Sequence, residues 1–143
     1  MTMISASAAA TAAAPLPLGS NPEPAAALLA AAGQLLPHLE RGERVDAAAL
    51  RAAMETAFGT SDATGAWDWK TAYDACEAAT VLFLRKYGRA LFRKAGSPAA
   101  RLSALSKIAN LLPTHTRRSA ESQTFQQFST PIPLGLVAAH AAA

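Results

Sequence analysis

Apolar residues recur with a helical period along most of the chain, and breaks in that period separate the predicted helices. The first predicted helix runs from Ala25 to Leu36, and Pro37 is expected to end or kink it. A second helix is predicted from Asp46, its N-cap, to about Phe58, with Gly59 just past its end. The leucines of the first helix supply its apolar face: Leu28, Leu29, Leu35 and Leu36.

The strongest pattern predicts a third helix from about Asp68 to Tyr87, which Gly88 is expected to interrupt before a short basic piece. Its apolar stripe has alternating spacings of four and three: Trp69, Tyr73, Cys76, Thr80, Phe83 and Tyr87. Ser97 followed by Pro98 predicts the start of a fourth helix that ends near Leu112. Core positions in that helix are predicted at Leu102, Leu105, Ile108, Ala109 and Leu112, with Arg101, Ser106 and Lys107 facing outward.

These elements predict an all-α fold, with residues 25–113 forming a small bundle of four or five helices. Residues 1–24 are rich in alanine and proline and are predicted to be a disordered leader. Residues 114–127 are polar and predict a linker with about one helical turn near 119–125. Residues 132–143 resemble the beginning of an apolar helix without a stop signal, so we expect the chain to be the front end of a longer protein or a truncation.

Composition narrows the classes of protein further. The chain has 143 residues, of which 51% are hydrophobic, and it lacks long alternating runs, which argues against a β-sandwich or barrel. The single cysteine, Cys76, excludes an internal disulfide framework and a multi-cysteine zinc site within one chain. No signal peptide or membrane-spanning run is evident, so a cytoplasmic protein without membrane contact is predicted.

Charge is distributed unevenly along the chain, whose net charge is +3. Acidic residues are missing from residues 78–120, a stretch that carries nine of the thirteen basic residues. A basic half of this kind predicts contact with DNA or with an acidic partner, although a solvated cationic helix face is an equal alternative. The candidate nucleic-acid residues are Arg85, Lys86, Arg89 and Arg93.

Patterns typical of catalysis are scarce. The sequence has neither common glycine-rich phosphate loop, and its Ser, His and Asp residues follow no catalytic motif. The carboxylate pairs Glu40 with Glu43 and Asp74 with Glu77 are read as exposed helix surface, and Cys76 as a buried, inert thiol. Trp69 fits the core stripe, whereas the place of Trp67 stays open. No catalytic residue and no metal site are predicted.

Residues Gln127-Phe128-Ser129-Thr130-Pro131 are the exception. They resemble the first motif of amino-group DNA methyltransferases, which places glutamine, an aromatic residue, any residue, threonine and proline before the S-adenosylmethionine-binding strand. Backbone N–H groups at a helix start suit an anion such as the cofactor's carboxylate, and a proline at the first helical position fixes that geometry. The resemblance implies that Gln127, Phe128, Ser129, Thr130 and Pro131 lie beside the cofactor.

The wider stretch 102–143, above all 114–137, resembles the N-terminal region of bacterial strawberry notch family proteins. That family joins an S-adenosylmethionine-dependent methyltransferase domain to a DEAD-like helicase, which uses ATP and Mg. The resemblance implies that residues 114–143 are a linker and the start of a truncated α/β methyltransferase domain. The family's catalytic and helicase motifs are absent, so this chain alone is expected to have no activity, cofactor or small-molecule substrate.

An alternative interpretation is a self-standing helical protein that binds nucleic acid or an acidic partner through its basic half. In that case Thr130 and Pro131 simply start a helix. The two interpretations differ in what they expect of residues 132–143, which should dock on the bundle in a complete protein and be exposed in a fragment.

Overall fold

The computed structural model describes residues 22–113 and 130–143, and the regular structure of these two ranges is entirely helical. This confirms the predicted all-α class for the described residues. The predicted leader, apart from its last three residues, and the predicted linker up to residue 129 lie outside them. Five α-helices follow in chain order: α1 (Pro24–Arg41), α2 (Ala47–Phe58), α3 (Trp69–Lys94), α4 (Pro98–Ala109) and α5 (Ile132–Ala142). A short 3-10 helix, Asp62–Thr64, lies between α2 and α3.

Local capping signals fix both ends of α2 and the start of α4 as predicted, whereas α4 ends at Ala109 and not near Leu112. The Asp46 carboxylate accepts a hydrogen bond from the Ala49 N–H at 2.7 Å, and Gly59 ends α2 in the left-handed conformation with φ 73°. The Ser97 hydroxyl likewise accepts from the Ala100 N–H at 3.1 Å, with Pro98 as the first residue of α4. These two helix starts are therefore encoded within a few residues of sequence.

The prediction that Pro37 ends the first helix is wrong, because α1 continues to Arg41. Pro37 lacks the N–H that would bond to the carbonyl of Gly33, and Gly33 is exposed, so water can hydrate that carbonyl. Leu35 and Leu39 lie on either side of the proline, and both are buried in the core. Their burial holds the helical course through the missing hydrogen bond.

The predicted interruption at Gly88 is also wrong, because α3 runs without a break to Lys94. A helical glycine costs about 1 kcal/mol relative to alanine, which packing on either side can offset. Arg101 was predicted to face outward, yet its Nε donates to the Ala95 carbonyl at 3.0 Å. One of its terminal nitrogens donates to the Phe92 carbonyl at 3.2 Å, so α4 holds the last turn of α3 in place.

The contact between α1 and α3 consists mainly of alanine. Three alanines of each helix belong to one core cluster and are at most 2% exposed: Ala27, Ala31 and Ala32 of α1 and Ala72, Ala75 and Ala79 of α3. Such small side chains let two helices approach to the short end of the usual range of about 8–10 Å. Leu29, predicted to belong to the apolar face of α1, is instead 57% exposed.

Larger side chains fill the space beside this alanine contact. Leu50 and Met54 of α2 are completely buried, and Trp67 is 3% exposed with its indole N–H donating to the Thr60 carbonyl at 2.8 Å. Trp67 is therefore the buried tryptophan, whereas Trp69, predicted to belong to the core stripe, is only half-buried. Trp69 packs at the edge of the core, with the Arg51 guanidinium 5.1 Å from its ring centroid.

The residues that follow α4 contact the segment between α1 and α2 and complete the core. The Val45 N–H, between α1 and α2, donates to the Leu111 carbonyl at 2.7 Å. Leu112 is buried in the same core as the alanines, and Leu105 and Ile108 of α4 are buried as well. The predicted core positions Leu105, Ile108 and Leu112 are thus confirmed, whereas Leu102 and Ala109 are only half-buried.

Helix α5 packs against α4. No residue of α5 is buried, and Leu134 and Val137 are 59% and 51% exposed. The choice between the two interpretations of residues 132–143 therefore stays open. None of the described helices combines the length and the apolar character needed to cross a membrane.

Truncation of a core leucine should separate buried from exposed positions on the same helix. Leu35→Ala removes a side chain that is 0% exposed, and it should lower the free energy of unfolding by about 2–5 kcal/mol because a cavity is left. Leu29→Ala is the matched control and should change it by less than about 0.5 kcal/mol. Urea denaturation followed by circular dichroism measures both, and equal effects would contradict the assigned core.

Candidate nucleic-acid interface

The candidate basic residues all lie on the C-terminal half of α3, and their side chains are exposed. Arg85, Arg89 and Arg93 are four residues apart, so they follow one side of the helix. At a rise of about 1.5 Å per residue, this arginine row spans about 12 Å. The structure therefore brings three of the four predicted residues together on one surface.

The arginine row has no partner within the described part of the chain. None of its guanidinium groups takes part in an ion pair, a hydrogen bond or a ring contact there. Acidic residues are also missing from residues 78–113, so neither this part of α3 nor α4 supplies a carboxylate. The row is thus a surface with uncompensated positive charge.

Lys86, the fourth predicted residue, is already engaged. Its Nζ lies 3.1 Å from Glu40 Oε1 at the end of α1, and 5.1 Å from the ring centroid of Tyr87. The hydrogen bond from Lys86, followed by one from the Tyr87 hydroxyl, lowers the pKa of the Glu40 carboxyl. The hydrogen bond with Tyr87, and then that with Glu40, raises the pKa of Lys86. Lys86 therefore joins α3 to α1 and does not extend the row.

Two arginines in the acidic half of the chain pair with carboxylates. Arg41 lies 2.9 Å from Glu43, and the hydrogen bond from Arg41 lowers the pKa of the Glu43 carboxyl. Arg51 lies 2.8 Å from Asp62 on the 3-10 helix. Three of the four carboxylates read as exposed helix surface pair with a cation: Glu40 with Lys86, Glu43 with Arg41 and Asp74 with Lys70. These pairings leave no carboxylate among those three free to work as an acid–base couple.

Cys76 is the one nucleophile that the sequence places in the core, and the structure buries it. Its side chain is 4% exposed, and burial raises the pKa of the thiol to about 12. At neutral pH the thiolate, which is the reactive form, is therefore scarce and enclosed. This agrees with the interpretation of Cys76 as an inert packing residue.

The predicted cofactor-adjacent residues are described only in part. Gln127, Phe128 and Ser129 lie outside the described residues, whereas Thr130 and Pro131 are exposed immediately before α5. The helix begins at Ile132, so Pro131 is the N-cap and not the first helical residue as predicted. No cap hydrogen bond from a side chain is formed there, and the Gly135 N–H donates to the Pro131 carbonyl at 3.0 Å.

A second proline further changes this helix start. Pro133 occupies the second helical position and has no N–H, so the first turn offers fewer donors to an anion than an ordinary helix does. The proposed place of Gln127–Pro131 beside a cofactor stays a prediction, because three of its five residues lie outside the described ones.

Comparisons of the chain with protein-family models, with curated proteins and with solved structures gave no match. The functional argument therefore rests on the residues themselves.

Proposed function

We propose that this chain binds nucleic acid through the arginine row of α3, Arg85, Arg89 and Arg93. The observation that carries the proposal is that three exposed guanidinium groups lie along one side of a helix without a carboxylate partner among the described residues. Elsewhere in the described bundle, Arg41 and Arg51 already have such partners. Uncompensated charge in one row is typical of a surface that meets a polyanion.

Arginine suits a phosphate backbone for a geometric reason. Its planar guanidinium can donate two parallel hydrogen bonds to phosphate oxygens, and it stays charged at every physiological pH. Contacts of this kind position a protein on nucleic acid without reading its sequence. We therefore expect binding that depends strongly on salt and weakly on base sequence.

The double variant Arg85→Ala/Arg89→Ala tests this proposal. Each lost phosphate contact should reduce the slope of log Kobs against log[salt] by about 0.9 on duplex DNA, so the double variant should reduce it by about 2. Fluorescence anisotropy of a labelled duplex, titrated with the 143-residue chain at several salt concentrations, measures both affinity and slope.

Arg44→Ala/Lys107→Ala is the charge-matched control, because both residues are exposed and lie off α3. It should leave the salt slope close to that of the unchanged chain. Equal losses in the two double variants would mean that net charge alone drives binding and would contradict an assigned surface. Binding to an acidic protein but not to DNA would favour the other partner class instead.

We also propose, from the resemblance at Gln127–Pro131, that this chain is the front part of an S-adenosylmethionine-dependent DNA methyltransferase/helicase in the cytoplasm. The bundle would then hold the nucleic acid, while the methyl transfer and ATP-driven steps belong to parts that this sequence does not contain. The motif and the stretch around it are the support for this proposal. In this scheme the 143-residue chain has no activity of its own.

The size of the native gene product tests the second proposal independently of the first. An antibody against residues 25–112 should detect a protein far larger than 14.8 kDa in the source cells. The coding sequence after residue 143 should then encode a glycine-containing cofactor loop. A native product of about 14.8 kDa followed by a stop codon would contradict the proposal and leave the nucleic-acid surface to be judged by its own test.

A further inference from the structure

A cavity lies between α4 and α5, away from the arginine row. Its volume is about 350 Å³, which falls in the lower part of the range of about 300–1,000 Å³ typical of small-molecule sites. Eight of the described residues line it: Pro98, Ala99, Arg101 and Leu102 of α4, and Leu136, Val137, His140 and Ala141 of α5. The cavity thus lies beside α5, the one α-helix of the described structure without a buried residue.

The walls of the cavity are aliphatic apart from two side chains, Arg101 and His140. Among the described residues no Phe, Tyr or Trp side chain lines it, and neither α4 nor α5 contains an acidic residue. An occupant with an alkyl chain would bury apolar wall that is now in contact with water. A negative head on that occupant would meet a cation without competition from a carboxylate of these two helices.

Arg101 is held in position before any ligand binds. Its Nε and one terminal nitrogen donate to the carbonyls of Ala95 and Phe92, and its guanidinium carbon lies 5.3 Å from the Phe92 ring centroid. These contacts use two of the five N–H donors of the guanidinium, so others are left for a ligand. A fixed cation loses little conformational entropy when it binds an anion.

We propose that this cavity binds an amphiphile with one alkyl chain and a carboxylate head, of the medium-chain fatty acid class. The alkyl chain lies between Leu102 and Leu136, and the carboxylate faces Arg101 and His140. The modest volume and the aliphatic lining favour a single chain over a folded peptide segment, which would bring polar backbone groups that these walls cannot satisfy. This site is separate from the arginine row, so it does not depend on nucleic-acid binding.

Three probes of matched chemistry test the ligand class by isothermal titration calorimetry with the whole chain, at concentrations below micelle formation. Decanoate has both the chain and the charge, decanol has the chain alone, and butyrate has the charge with a short chain. Decanoate should bind at a single site, and the other two should bind at least about tenfold more weakly because each lacks one half of the recognition.

Two valines offer a matched pair of variants. Val137 lines the cavity and is 51% exposed, whereas Val81 on α3 does not line it and is 53% exposed. Val137→Asp places a carboxylate beside the ligand's own and should weaken decanoate binding at least about tenfold. Val81→Asp introduces the same charge at an equally exposed site and should leave the affinity unchanged. Circular dichroism confirms that both variants fold.

Several results would overturn the proposal. These are no decanoate binding below the micellar range, equal binding of decanol and decanoate, and equal losses of decanoate affinity in the two aspartate variants.

Sedimentation velocity tests one further outcome, in which the exposed side chains of α5 contact a second copy of the chain instead of a ligand. Self-association that Val137→Asp abolishes and decanoate does not affect would assign this face to dimerisation.

Discussion

The close contact between α1 and α3 is the constraint on which the rest of the bundle depends. Alanines such as Ala31 and Ala75 are completely buried on the facing sides of these helices, so the backbones approach closely. A larger residue at such a position would separate the helices, because a packed core has little free volume. Met54 and Trp67 then fill the space that the narrow contact leaves at its sides.

This contact also determines which charges remain available. With α1 close to α3, Glu40 reaches Lys86 and removes that lysine from the basic surface. Beyond this ion pair, residues 87–94 continue α3 for about 12 Å, and they carry Arg89 and Arg93. Those arginines are exposed to solvent, and none of them pairs with a carboxylate of the described residues. The packing of α1 against α3 therefore removes Lys86 from the basic surface and leaves the arginine row uncompensated.

Sequence reasoning predicted what short-range chemistry encodes. Helices α2 and α4 start where the side chains of Asp46 and Ser97 accept a hydrogen bond from the backbone N–H three residues later. The all-helical class of the described residues follows from the helical spacing of the apolar residues. The predicted end at Pro37 failed because its local penalty, about 3 kcal/mol, is opposed by the burial of Leu35 and Leu39 on either side. The penalty at Gly88 is only about 1 kcal/mol, and α3 continues through it. The sequence alone predicts these local free-energy penalties, but it does not predict the tertiary packing that compensates for them.

The candidate site also combines features that a short stretch of sequence predicts with features that depend on residues far apart in the chain. The four candidate residues on α3 could be found by counting charges, but the engagement of Lys86 depends on Glu40, which is 46 residues away. Arg101 donates a hydrogen bond to the Ala95 carbonyl at the end of α3, and a cavity lies beside it. Neither feature can be predicted without knowing how the helices are placed relative to one another. Periodicity predicted Trp69 for the core and left Trp67 open, since Trp67 precedes the helix and belongs to no stripe.

Amide and arginine side-chain NMR spectra of the ¹⁵N-labelled chain, recorded while a short DNA duplex is added, test the central claim most directly. The account predicts that the Nε–H signals of Arg85, Arg89 and Arg93 shift together and recover with added salt, while those of Arg41 and Arg51, already paired with carboxylates, stay in place. Shifts spread evenly over all arginines, or an α3 that does not respond to DNA, would contradict it.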